Sequence, residues 1–251
     1  MDPTVLQVGS VRVTGHGVVL LLAFAVGLWH FVRGGRRAEL APQDALDLGL
    51  YLLVAGLVGA RLGHVLAHAG AYAHDPQRVF WVWQDGGLAF YGGVAGCAVA
   101  CRWLRPRDWA AVLDHAAPAA AVAYAVGAVG TLWTGLFLGK PTDVPWAVDA
   151  AGTLRHPVGA YLALASVAAY RLLEPAASRE HPPGQVALTY LLLQSTARAA
   201  SDVFVDPQTT SPVLGPFTAG QLSAAAVALG SALGLWASAK GRAGHSAPPP
   251  P

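Results

Sequence analysis

Long apolar runs separated by short polar stretches organise this chain. Val13 to Val32 is almost continuously apolar and stops at the basic cluster Arg33, Arg36 and Arg37. A second run, Ala45 to Ala69, carries Arg61, His64 and His68, and a shorter third, Leu88 to Trp103, closes on Arg102, Arg105 and Arg107. Further runs cover Trp109 to Trp133, Val158 to Leu173, Gln185 to Ala200 and Ala219 to Ala239. A helix needs about 20 apolar residues to cross the hydrocarbon core of a bilayer. The pattern therefore predicts an all-α, polytopic integral membrane protein with about seven transmembrane helices, built as one membrane domain over residues 1–239. Pro, Gly and polar residues between the runs predict loops near 70–87, 134–156 and 201–217. The first of these is rich in Trp and reads as an interfacial or re-entrant stretch. Residues 240–251 hold nothing that forms a core and are expected to be disordered.

Composition sharpens this picture. Of the 251 residues, 54% are hydrophobic and 12% charged, against about 25% charged in soluble domains. The net charge of +2 comes from cations scattered between the runs, with no contiguous basic face, so no nucleic-acid partner is expected. Cys97 and Cys101 lie four apart in one predicted helix, which suits packing better than a disulfide. The opening residues, MDPTVLQVGSVRV, lack the basic start and short apolar core of a cleavable signal.

Cations also set the expected orientation. With the N-terminus outside, Arg33, Arg36, Arg37, Arg102, Arg105, Arg107, Arg171, Arg179, Lys240 and Arg242 all fall on the cytoplasmic side. Only Arg12, Arg78, Lys140 and Arg155 fall outside, and the three long loops fall there with them. The C-terminus is then cytoplasmic, and the chemistry is expected at the outer face.

Charged side chains within spans cost roughly 2.5–3.5 kcal/mol each on insertion scales, so they line cavities or pair. Arg61, Asp114, Arg198 and Asp202 are of this kind. Arg198 and Asp202 are one helical turn apart and suited to an ion pair. Alternatively, Arg61 and Arg198 converge on an anionic head group, since a guanidinium fork matches phosphate oxygens. His64 and His68 have the spacing of a metal pair, but no acidic or Cys partner lies nearby, and neither metal nor cofactor is expected. Glycines at spacings of three and four suit close helix crossings. The Gly-Gly pairs of QDGGLAFYGG instead suggest backbone that breaks helix geometry beside a cavity.

These residues carry a resemblance to the prolipoprotein diacylglyceryl transferase family. Five blocks occur in the family's order: GARLGHVL from residue 59, VWQDGGLAFYGG from 82, LDHAAP from 113, LRHPVGAY from 154 and TARAASD from 196. The resemblance implies transfer of the diacylglyceryl group of phosphatidylglycerol to the thiol of a lipobox cysteine in a prolipoprotein signal peptide, with release of glycerol phosphate. It implies a bacterial inner-membrane location. It also implies substrate-binding roles for Arg61, Asp85, Gly92, Gly93, Gly135, Gly139, Arg155 and His156, and a phosphate-holding role for Arg198.

The chain departs from the family pattern in a concentrated way. Ala128 stands where the family has Arg, Thr131 and Thr134 where it has Asn, and Leu136 where it has an acidic residue. Val158, Gly159 and Leu162 replace Ser, Gln and Glu, and Gln194 replaces Tyr. His16 occupies a family Tyr position and Tyr91 a family His position, so His16 is expected to act as the base, oriented by Tyr91. His156 is the rival base, although the proline after it suggests a helix-start role. Three readings stay open: a divergent transferase, a catalytically inactive homologue that binds phospholipid or a partner protein, and a small-solute transporter. In a variant lacking Cys97 and Cys101, cysteines introduced beside Arg36 and beside Asp143 test the orientation. An impermeant thiol reagent applied to intact cells is expected to label the second and not the first.

Overall fold

The computed structural model describes residues 4–8, 11–34, 41–73, 75–80, 89–104, 108–135, 139–150, 152–206, 212–214 and 217–245. In chain order these form β1 (Thr4–Val8), β2 (Val11–Thr14), α1 (Gly15–Gly34), α2 (Pro42–Ala67), α3 (Ala69–Ala73) and a 3₁₀ turn (Pro76–Phe80). There follow α4 (Phe90–Leu104), α5 (Trp109–Thr134), β3 (Val148–Ala150), β4 (Thr153–Arg155), α6 (Val158–Ala177), α7 (Gln185–Asp202), β5 (Pro212–Leu214), β6 (Phe217–Thr218) and α8 (Ala219–His245).

Over its described residues each predicted apolar run lies largely on a helix. Among the described residues four helical segments are long and apolar enough to cross a membrane: Gly15–Gly34, Pro42–Ala67, Trp109–Thr134 and Gly220–Lys240. The other three long helices fall short for identifiable reasons. α4 has 15 residues, about 22 Å at 1.5 Å per residue, against a hydrocarbon core of about 30 Å. α7 carries Gln194, Ser195, Arg198, Ser201 and Asp202, and α6 carries Arg171 and Glu174 near its end.

Among the described residues three antiparallel two-stranded ribbons were not expected from the sequence: β1–β2 before α1, β3–β4 between α5 and α6, and β5–β6 between α7 and α8. Strands of two to five residues are too short to show an alternating pattern against apolar surroundings. α8 continues to His245, into the tail expected to lack structure.

The chain divides into two units, a smaller one of Pro3–Thr14 with Val32–Trp109 and a larger one of Gly15–Phe31 with the chain from Ala110 onward. In the smaller unit α2 and α4 cross on two small-residue stripes, Gly59 with Gly63 and Gly92 with Gly96. A Cβ on Gly63 would lie 2.8 Å from the Gly92 Cα, and one on Gly59 2.8 Å from the Gly96 Cα. Membrane helices lack a hydrophobic drive to associate, so backbone-to-backbone contact of this kind is what holds them. Gly92 and Gly93 lie within the regular helix α4. The expectation that this pair breaks helix geometry is therefore corrected: the missing side chains serve a helix crossing. Gly86 and Gly87 lie outside the described residues.

In the larger unit α5 is the central helix. It meets α1 where a Cβ on Gly27 would lie 2.8 Å from the Ala123 Cβ, and again where Gly130 faces Val19. It meets α6 where Gly159 approaches the Ala128 carbonyl. A deeper cluster joins Ala117 and Ala121 of α5, Ala169 and Leu173 of α6 and Val186 of α7.

Two neighbouring polar residues near the start of α5 close the ends of other helices. Asp114, 2% exposed, accepts the Gly184 N–H at 2.6 Å through Oδ2 and the Ala187 N–H at 2.8 Å through Oδ1. A side chain 70 residues away thus does for α7 what its own N-cap, Gly184, cannot do. The carboxylate also sits at the positive end of the α7 dipole. His115 Nε2 donates to the Phe31 carbonyl at 2.8 Å, one of the last-turn carbonyls that α1 cannot satisfy internally. The in-span acid singled out from the sequence is therefore a helix cap. Replacing it, Asp114→Ala, leaves two partly buried N–H groups without this acceptor. The variant is expected to lose about 1–2 kcal/mol of stability, read as a lowered thermal midpoint in detergent, with Asp114→Asn intermediate.

Candidate functional site

One end of the larger unit gathers most of the retained polar residues. α5 stops at Thr134, where Gly135 takes φ +65°, a left-handed conformation that ends helices and favours glycine. The chain then returns as an irregular stretch that pairs on both sides, with Gly139 bridging to Val205 and Pro141 to Arg155. The Lys140 N–H donates to the Phe204 carbonyl at 2.8 Å, and the His156 N–H to the Lys140 carbonyl at 3.1 Å. Gly139 has no room for a side chain, because a Cβ there would lie 2.6 Å from the His156 Cβ.

The segment from Asp202 to Asp206 touches three site residues in turn. Arg198 Nη2 lies 2.9 Å from Asp202 Oδ1, the pair that the one-turn spacing predicted. The Phe204 ring packs on His156 at 4.9 Å between centroids and on Tyr161 at 5.6 Å. Arg155 Nη1 donates to Asp206 Oδ2 at 2.7 Å and to the Gly139 carbonyl at 3.0 Å. Tyr161 OH lies 3.0 Å from His156 Nδ1 and accepts the Trp146 Nε1–H at 2.8 Å. Asp206, Trp146 and the link through Phe204 were missed from sequence. Arg155 and Asp206 are 51 residues apart and each lies outside the helices, which leaves no helical spacing to read.

Other candidates have other surroundings. Arg61 is buried in the smaller unit, its Nε donating to the Val79 carbonyl at 2.8 Å and its Nη2 to the Arg78 carbonyl. Its guanidinium also lies 5.3 Å from the Tyr72 ring centroid. These contacts anchor the 3₁₀ turn. His16 lies in the first turn of α1 with Nδ1 enclosed by protein. Asp85 and the Tyr91 side chain lie outside the described residues, and the expected His16–Tyr91 partnership lies outside them too. His64 and His68 stack at 4.3 Å, with the His68 Nδ1 3.0 Å from the His64 carbonyl. Among the described residues no three His, Cys, Asp or Glu side chains assemble as a metal group. Cys97 and Cys101 are free thiols, and the Cys97 Sγ lies 3.4 Å from the Leu52 carbonyl.

Several of the positions at which the resemblance implies other residues lie close together. Ala128, Val158 and Leu162 pack with Ala163 and Val205 into one apolar cluster, with Leu162 2% exposed and Val158 fully buried. Gly159 reaches the same place through the Ala128 carbonyl, and Thr131 donates to that carbonyl at 2.7 Å. Thr134 donates to the Gly130 carbonyl at 3.1 Å. These residues form a single methyl-lined contact between α5 and α6.

Apolar helices that cross on small residues, with polar groups collected at their ends, define an integral membrane protein of the helical class. The sequence profile of the prolipoprotein diacylglyceryl transferase family matches residues 3–237, and the chain belongs to that family. It is similar to the phosphatidylglycerol–prolipoprotein diacylglyceryl transferase of Geobacter sulfurreducens, 30% identical over 88% of this chain and 89% of the relative. The protein of the same description from Nitrosomonas europaea is 32% identical over 94% and 90%. That of Pseudomonas fluorescens is 31% identical over 94% and 93%.

The clustering makes a coupled prediction. Ala128→Arg alone places an unpaired charge among methyl groups and is expected to destabilise the protein by about 3–5 kcal/mol. Adding Leu162→Glu supplies a partner across the same cluster and is expected to recover at least half of that loss. Thermal unfolding of the two single variants and the double variant reads the coupling directly.

Proposed function

We propose that the chain moves the diacylglyceryl group of phosphatidylglycerol onto the thiol of a lipobox cysteine in an incoming prolipoprotein, releasing glycerol phosphate. Family membership supports the reaction class, since the relatives named above carry that description over nearly their whole length. The observation that carries the reading for this chain is the Asp202–Asp206 segment. It ties a retained guanidinium, Arg198, to a retained imidazole, His156, at one end of one unit.

In this reading Arg198 holds the phosphate of the donor lipid, with Asp202 setting the direction of its fork. Arg155, held by Asp206 and the Gly139 carbonyl, keeps the wall of the site in register. The protein sits in the bacterial inner membrane with seven crossings, the N-terminus outside and the site at the outer face. The signal peptide of the prolipoprotein arrives from the bilayer.

A second reading is favoured by one observation. The cluster of Ala128, Val158 and Leu162 offers no cation to a phosphate. Loss of a charge-assisted contact to a developing anion costs about two to three orders of magnitude in rate. On that reading the chain binds phospholipid or a partner without transfer. Expression in cells depleted of their own diacylglyceryl transferase separates the two. Growth and mature lipoproteins are expected with the wild-type chain and not with Arg198→Ala. Failure of the wild-type chain, with normal membrane levels, favours the binding reading.

A further inference from the structure

Among the described residues of the larger unit, His156 has a built arrangement around its ring. Its backbone N–H is tied to the Lys140 carbonyl, its ring packs on Phe204, and Nδ1 faces the Tyr161 oxygen. Tyr161 is itself fixed by Trp146. An indole N–H only donates, so the phenol oxygen is the acceptor in that 2.8 Å contact. No described residue bonds to Nε2 of His156, and the side chain is only partly buried. Proline after His156 starts α6, and that helix start also places Tyr161 beside the imidazole. The helix-start role and a chemical role are therefore compatible.

We propose that His156 is the proton acceptor for the incoming thiol, and that Tyr161, held by Trp146, is the positioning residue that prepares it. The proposal rests on the transfer reading above and adds roles that reading does not give to His156 and Tyr161. In the competent tautomer Nδ1 carries hydrogen and donates to the Tyr161 oxygen, which then receives two N–H groups. Nε2 is left bare. The thiol proton passes to Nε2 while sulfur attacks the glyceryl carbon bonded to the phosphate oxygen. That carbon–oxygen bond breaks, its electron pair leaves on the phosphate oxygen of glycerol phosphate, and a thioether forms. The imidazolium later returns its proton to water. The Nδ1–H···O contact is present before and after proton uptake, so the ring keeps its orientation through the step.

A selenol is ionised at neutral pH without a base, so it separates this role from a packing role. Purified full-length protein in phosphatidylglycerol nanodiscs is offered two lipobox peptides that differ only in cysteine or selenocysteine. His156→Gln is expected to slow transfer to the thiol peptide by about 100-fold or more and to leave transfer to the selenol peptide within a few-fold of wild type. Tyr161→Phe and Trp146→Phe are expected to lower kcat for the thiol peptide, Tyr161→Phe more, by about 10-fold, with KM for phosphatidylglycerol unchanged and selenol transfer preserved. Selenol transfer also reports that each variant is folded. Equal losses with both peptides, or no loss with the thiol, overturn the proposal and leave the transfer reading standing. Transfer by wild type to neither peptide overturns both.

Discussion

Helices in a bilayer come together only as closely as their smallest side chains allow, and this protein depends on that contact. Acyl chains solvate Leu and Val as well as another helix does, so association relies on backbone approach and polar pairing. α5 makes both. Its Ala and Gly positions admit α1 at Gly27 and Val19 and α6 at Gly159. Its Asp114 and His115 then close α7 and α1 at the other end. The middle of the larger unit is held by methyl contact and its ends by hydrogen bonds that the helices cannot make for themselves.

The same economy of side chains explains how the family pattern could change where it did. Ala128, Val158, Leu162 and Val205 fill one space. A charge removed from α5 would leave a carboxylate on α6 uncompensated, which is costly in a low-dielectric setting. Replacing the set together leaves a packed apolar contact and no stranded charge. The polar groups of this end lie elsewhere, where Arg198 pairs with Asp202 and Arg155 with Asp206, the arginines partly exposed and the carboxylates buried.

Several residues picked for chemistry turned out to have structural partners. Arg61 holds the carbonyls of a 3₁₀ turn, and Gly92 and Gly93 lie at a helix crossing. Gly139 makes room for His156. Conversely Trp146 and Asp206, which belong to no recognisable motif, make the shortest side-chain contacts of the rim to Tyr161 and Arg155.

Length and apolar continuity were enough to place the long helices of the described residues, four of them long and apolar enough to cross a membrane, because backbone in an apolar setting must satisfy its polar groups internally. The Arg198–Asp202 pair was also legible, since both residues ride on one helix at a spacing of one turn. The order of the motif blocks pointed to the family. Tertiary structure alone decided the rest. It turned Asp114 from a candidate site acid into the cap of a helix 70 residues away. It gathered Ala128, Val158 and Leu162 into one cluster, and it joined Arg155 to Asp206 and His156 to Tyr161 and Phe204. Most of these contacts join side chains far apart in the chain, and sequence periodicity carries information only about neighbours on the same helix or strand.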